Sequence, residues 1–233
     1  MTAMPLVLMY HSVERYDRDP FRVTVSPDRF AWQLGWLARH GLTGVSMREL
    51  LRAHAQGTTR GLVGLTFDDG YDDFLAEVVP LLLRYRFTAT VFVVSGLLGG
   101  HNGWDAGGPR KRLMDADGVR WAARQGMEVG SHSAGHRSLA GLSETDLRHE
   151  VVASKAELEQ VLGDEVSGFC YPYGHATARE MTAVREAGYG YACAIWKCDL
   201  SGRHMLPRTY VGDRDGALRL RAKRARHRVR WGR

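Results

Sequence analysis

Short, almost wholly apolar runs alternate along the chain with longer segments in which apolar residues recur every three or four positions. The runs are PLVLMY, LTGVS, GLVGLTF, TATVFVVS, MEVGS, VSGFCYP and YGYACAI. Between them lie SPDRFAWQLGWLARHG, MRELLRAHAQG, DFLAEVVPLLLRYR, DADGVRWAARQG, SETDLRHEVVASKAELEQVLG and TAREMTAVREAG, which carry the period of amphipathic helices. Strands that are apolar throughout, rather than alternating, are strands buried on both faces. Their alternation with helices predicts an α/β fold with a parallel sheet covered by helices. Seven or eight strands without a linker favour one closed barrel over two domains.

Helix ends are well marked. Ser26-Pro27 supplies an N-cap and a proline at the first helical position, and Gly41 ends that helix. Ser143 and Asp146 flank another start, and the long helix after them runs to Gly163. The glycine-rich stretch 96–112 reads as a long surface loop. It follows a strand, which is where the active-site loops of βα barrels sit.

Composition narrows the classes. Of the 233 residues none form an apolar run near the roughly 20 that a membrane span needs. The three cysteines, Cys170, Cys193 and Cys198, are odd in number and lack CxxC spacing, which suits buried thiols and a reducing compartment. The opening MTAMPLVLMYHSV has no basic flank and no small-residue cleavage site, so no secretory signal is read and a cytoplasmic location is expected. The net charge of +6 is local: residues 217–233 hold eight Lys/Arg and no Asp/Glu, and without them the chain is at −2. This basic C-terminal tail or final helix could make weak contact with an anionic membrane surface, peripheral at the inner face. Its apolar residues Leu218, Leu220, Ala222, Ala225 and Val229 form no single stripe in the sequence. No recognition motif supports a nucleic-acid partner.

The chemistry gathers behind GLVGLTF, where Asp68, Asp69, Asp72 and Asp73 follow in six positions. Asp72 or Asp73 is placed to start the next helix, where a carboxylate meets free N–H groups. Asp68 and Asp69 precede the turn at Gly70. Adjacent residues leaving a strand point to opposite sides, so they can serve separate centres. Burying both without a counter-charge is costly, and a metal ion removes that cost. EVGSHSAGH ends another strand with His132 and His136, separated by three small residues that let both imidazoles aim at one point. Two histidines and a carboxylate, with positions left open, are a usual catalytic zinc set.

TFDDG together with SHSAGH resembles the first two motifs of the polysaccharide deacetylases, the carbohydrate esterases related to the nodulation chitooligosaccharide deacetylase (NodB homology). The resemblance runs from LVLMYHSV to LPRTYV and leaves the basic tail outside, giving a domain over 1–216 and the tail over 217–233. It implies a distorted (β/α) barrel of about seven parallel strands and one divalent metal, zinc first, with cobalt, nickel or manganese as alternatives. It also implies a hydrolase that removes acetyl groups from N-acetylated sugars. On that pattern Asp68 is the general base, Asp69 joins His132 and His136 on the metal, and metal-bound water is the nucleophile. FCYPYG resembles the third motif, in which the backbone N–H of Tyr173 holds the oxyanion. Many members carry an arginine where this chain has Cys170, and Arg208 in LPRTY is the candidate substitute. LMYHSV looks like a circularly permuted subgroup in which the first strand delivers the acid, making His11 the general acid and Tyr10 a packing residue; His204 and His227 are the other late histidines. The expected partner is an N-acetylhexosamine-containing glycan, glycolipid or glycoside. A related hydrolase of another acyl or non-peptide C–N bond, and a sugar-binding barrel without catalysis, are the alternatives.

Overall fold

The computed structural model describes residues 4–195 and 202–231; Cys198 lies outside them. The strands are β1 (Val7–Tyr10), β2 (Ser12–Val13), β3 (Thr24–Val25), β4 (Thr43–Val45), β5 (Leu62–Phe67), β6 (Thr90–Val93), β7 (Glu128–Ser131), β8 (Gly168–Cys170), β9 (Tyr191–Cys193) and β10 (Thr209–Tyr210). The helices are α1 (Pro27–Arg39), α2 (Met47–Ala55), α3 (Val79–Tyr85), α4 (Ala116–Arg124), α5 (Glu144–Arg148), α6 (Ser154–Leu162), α7 (Ala178–Glu186) and α8 (Ala217–Trp231). One curled sheet runs β10-β1-β5-β6-β7-β8-β9, with every pair parallel. β4 enters beside β5 at residues 62–64, before β6 takes over at Thr66 and Phe67. The two edges meet through a parallel bridge between Cys193 and Leu206, where Ala194 N donates to Leu206 O at 2.9 Å. The apolar runs are the strands of this parallel sheet, and its curled form is the distorted barrel that the family resemblance implies.

The first strand is a central one, between β5 and β10. Its Tyr10 is fully buried, and the Tyr10, Phe30 and Phe67 rings pack with centroids 5.2–5.7 Å apart, tying β1 and β5 to α1. The caps follow the sequence in most places. Ser46 and Glu49 form a reciprocal capping box on α2, Ser143 accepts from Asp146 N at the start of α5, and Gly163 ends α6 at φ 68°. Ser26 precedes α1 as expected, but its hydroxyl donates to Asp213 instead of capping the helix. The long helix after Ser143 is broken by a widened π turn at His149–Ala153. A second such turn, Phe74–Val78, precedes Pro80, which has no N–H to return to the carbonyl of Ala76.

The small β2–β3 ladder has no counterpart in the sequence pattern, because two residues per strand are too few to show a period. α8 lies along the flank of the barrel. Leu220 enters the core, Lys223 Nζ donates to Asp215 and to Tyr210 O, and the His227 ring contacts Met4 O at 2.8 Å.

Candidate active site

The C-terminal ends of β1, β5 and β7, and the segments after β8 and before β10, converge on a cavity of about 330 Å³. All seven residues singled out in the sequence line it: His11, Asp68, Asp69, His132, His136, Tyr173 and Arg208. Asp68 and Asp69 leave β5 together. Asp69 takes a left-handed φ of 74°, which turns its carboxylate away from that of its neighbour. Gly70 follows at φ 70°, and a Cβ there would sit 3.2 Å from the Val93 backbone, so glycine is required for the turn.

Asp69 Oδ1 lies 3.3 Å from His132 Nε2 and 3.2 Å from His136 Nε2, with all three side chains buried. The His132 Nδ1 is 2.8 Å from Cys170 O; with the proton on that nitrogen, Nε2 is left as a ligand. Burial pushes Asp69 up, but hydrogen bonds to the two imidazoles outweigh it and hold the carboxyl well below its usual range. Burial presses His132 down, while neighbouring Cys170 with Asp69 and Asp68 outweighs that and raises it well above the ordinary value. The Asp/His/His donor set fits a divalent metal of the zinc type. Asp68, His132 and Cys170 also approach one another. That group fits a metal poorly, because both Asp68 oxygens are committed to an arginine and burial raises the Cys170 thiol away from the thiolate form.

Arg208 is the side chain that meets Asp68. NH1 donates to Oδ1 at 2.6 Å and NH2 to Oδ2 at 2.8 Å, a bidentate pair. Further donations go to Thr66 Oγ1, to Ala194 O and to Cys170 Sγ at 2.9 Å, so each of the five guanidinium donors has an acceptor. The cysteine therefore leaves room for an arginine arriving from a different strand. Burial pushes Asp68 up, yet the charge and hydrogen bonds of Arg208, with His132 and His11 adding, lower its pKa below the ordinary value.

His11 Nε2 is 3.9 Å from Asp68 Oδ2, and its Nδ1 is buried without a hydrogen-bond partner. The segment carrying it is fixed by Asp73, which accepts from Val13 N at 3.0 Å and from Ser12 Oγ at 2.5 Å; Lys111 donates to the same hydroxyl. This corrects the helix-starting role read for Asp72 or Asp73. Asp73 stands at the N-cap position but makes no side-chain cap, and Asp72 lies 3.9 Å from Arg112. The strand end that presents His11 has a stronger need of the carboxylate than a helix turn does. His204 and His227 both contact backbone carbonyls elsewhere.

Three contributors escaped the sequence. Trp104 and Asp105 reach the cavity from the 96–112 loop, and the Trp104 ring stacks on His136 at 4.1 Å. A tryptophan in a glycine-rich loop after a strand was the available signal. Glu150, from the π turn, accepts from Gly135 N at 2.8 Å while its own carbonyl accepts from Ala134 N, so it fixes the turn between the histidines. No local pattern marked it. The backbone is strained here: Asp69, Ser133, His136 and Tyr173 are four of the six non-glycine residues at positive φ among those described. Tyr173, half exposed at φ 59°, turns the chain at the cavity wall and meets the His136 ring edge-to-face.

The chain matches known proteins along most of its length. The family model for polysaccharide deacetylase matches residues 55–192, the span holding Asp68, Asp69, His132, His136 and Tyr173 but neither His11 nor Arg208. YxkH of Bacillus subtilis (strain 168) is 24% identical over 185 residues, which is 78% of this chain and 61% of that protein, so the chain spans about three fifths of that relative. A poly-β-1,6-N-acetyl-D-glucosamine N-deacetylase of Staphylococcus aureus is 22% identical over 198 residues, 82% of this chain and 68% of the relative. Among solved structures, the Streptococcus pyogenes deacetylase PplD in complex with acetate is similar at a TM-score of 0.80 and 22% identity, over 96% of this chain and 99% of its own. IcaB from Ammonifex degensii is similar at 0.74 and 24%, over 90% and 92%. The structural likenesses bear on the fold, and the matched span together with the residues it carries bears on descent: the chain belongs to the polysaccharide deacetylase family.

Proposed function

We propose that the protein is a metal-dependent N-deacetylase that hydrolyses the acetamide of an N-acetylhexosamine in a glycan, glycolipid or glycoside. One observation carries the reading. A divalent-metal ligand set, an arginine-clamped carboxylate and a histidine with an unpartnered nitrogen all face a single cavity. The similarity to a Staphylococcus aureus N-deacetylase of poly-β-1,6-N-acetyl-D-glucosamine and to the deacetylase PplD supports the same reading.

Asp69, His132 and His136 would hold the metal, whose chemistry when bound is to acidify water and polarise the amide carbonyl. Asp68 is the general base. The bidentate Arg208 contact keeps it ionised and fixes its plane, so it takes the proton of the attacking water without first reorienting. The backbone N–H of Tyr173 is assigned to the oxygen that gains charge. An amine cannot leave as an anion, and His11 supplies its proton. Acetic acid and the amine are formed, the carboxyl proton passes to the amine so that they depart as acetate and ammonium, and the proton held by Asp68 returns to His11, whose Nε2 faces it across 3.9 Å. Trp104 packs on His136 and walls that side of the cavity.

The test is acetate and amine release from N-acetylglucosamine oligomers, β-1,6-linked ones included, before and after chelation and re-addition of zinc. Release that chelator abolishes and zinc restores is the expected result. A zinc-loaded protein that binds these oligomers and releases no acetate would instead be a sugar-binding barrel.

A further inference from the structure

Outside the cavity, the strongest concentration of one chemistry is α8, which has seven Lys/Arg and no Asp/Glu between Ala217 and Trp231. The fold sorts the apolar residues that look scattered in its sequence. Leu220 turns inward, 4% exposed, and shares the inner face with Lys223 and His227, which bind Asp215 and Met4 O. The other four, Leu218, Ala222, Ala225 and Val229, recur at intervals of four, three and four, which brings them within about 60° of arc on an α-helix. All four are exposed, Leu218 by 80% and Val229 by 76%. Arg221 and Arg228 border this stripe on one side, and Arg219, Arg226 and Arg230 on the other.

We propose that this outer face docks α8 lengthwise on an anionic lipid surface, with the stripe at the acyl boundary and the arginines among the headgroups. A narrow apolar stripe between two cationic borders is the pattern of a helix that lies in the interface plane. Charge complementarity selects the occupant. A second copy on the same stripe would bring arginine borders against arginine borders. A soluble polyanion would use the arginines but has no use for Leu218 and Val229. Like charges four apart also crowd the helix at Arg224 and Arg228. Burial, with Arg226 and Arg219 adding, lowers the Lys223 pKa in spite of Asp215. Anionic headgroups relieve that crowding.

Docking carries no cost of forming the helix, because the inner face already holds it on the barrel. Among the described residues no helix is long and apolar enough to cross a membrane, so the contact is peripheral. Lys223 of α8 reaches Tyr210, which lines the cavity, and His227 reaches Met4, so docking of the outer face sets this flank of the barrel on the bilayer.

The test is co-sedimentation of the full chain with vesicles of phosphatidylcholine alone and of equimolar phosphatidylcholine and phosphatidylglycerol. Binding to the mixed vesicles only, screened by high salt, is expected. Leu218→Ser/Val229→Ser and Arg221→Gln/Arg228→Gln should each weaken it by about tenfold. Both pairs sit on the outer face, and circular dichroism should show the fold unchanged. The proposal is overturned if the protein stays in solution with the mixed vesicles, or if the serine pair binds them as well as wild type, which would leave only charge contact with a polyanion. It is also overturned if sedimentation velocity shows a dimer that the serine pair dissociates. None of these readouts depends on deacetylation.

Discussion

β7 holds a buried titratable group at each end, and the two are treated in opposite ways. At its first residue, Glu128 accepts from Thr90 Oγ1 at 2.6 Å, from Arg48 N at 2.8 Å and from Tyr191 OH at 2.9 Å, with Arg48 Nε at 3.7 Å. Thr90 in turn accepts from Met47 N, so this end is closed by satisfied bonds. Just past the last residue, His132 stands beside His136 and near His11, each of which buries a Nδ1 with no partner, and the backbone passes through left-handed conformations at Asp69, Ser133 and His136. One end holds the sheet together. The other leaves polar atoms open and tolerates strain of about 1–3 kcal/mol per residue, which a fold keeps only where something is gained by it.

The sharpest way to break this contrast is to neutralise one carboxylate at each end. Asp68→Asn is expected to lower kcat for acetate release by about 10²–10⁴-fold under conditions where the variant is folded. Glu128→Gln should leave kcat near wild type and cost about 1–3 kcal/mol of stability, because one buried acceptor is replaced by a donor facing Tyr191 or Arg48. Equal activity losses from the two would abolish the distinction between the ends. Between these effects lies Arg208→Ala, expected to cost about 3–5 kcal/mol in urea unfolding, since it leaves Asp68 buried and unpaired. Adding Cys170→Arg to it should recover part of both stability and kcat, because Sγ sits 3.7 Å from the same carboxylate. A double variant no better than the single would mean that the guanidinium must arrive from the Arg208 side.

The legible half of the molecule is the half set by local chemistry. Apolar runs gave the parallel strands, and Ser143 and Gly163 marked helix ends through bonds within a few residues of themselves. TFDDG and SHSAGH named four site residues because each pair travels on one strand end. What escaped depends on contacts far apart in sequence. Glu150 fixes the histidine turn from a π turn that interrupts an otherwise continuous helical pattern. Asp73 reads as a helix start because a carboxylate after a glycine turn usually is one, and only the fold shows Ser12 and Val13 competing for it across 60 residues. The α8 stripe emerges once Leu220 is seen to face inward.

Asp73 also gives the smallest and most specific test, since it is a structural carboxylate at the open end. Burial pushes its pKa up from 3.8 to about 6, against the bonds from Ser12 and Val13 and the charge of Lys111. A folded value above the unfolded one means that the native state holds the proton more tightly. Its contribution to stability is therefore full below 3.8 and is lost as pH rises through about 6. Asp73→Asn removes that dependence. Relative to wild type, its unfolding free energy should climb between pH 4 and pH 7, by at most about 3 kcal/mol for a shift of about two units, and then level off. Asparagine can still accept from Val13 N and meet the Ser12 hydroxyl, so His11 should stay in place and kcat should change little. Asp73→Ala frees the same segment and should lower kcat by about tenfold with KM nearly unchanged, the signature of a residue that positions the acid. A pH-independent stability difference for the asparagine variant would show that the carboxylate is ionised at no cost. The open end would then be strained in its backbone and histidines alone.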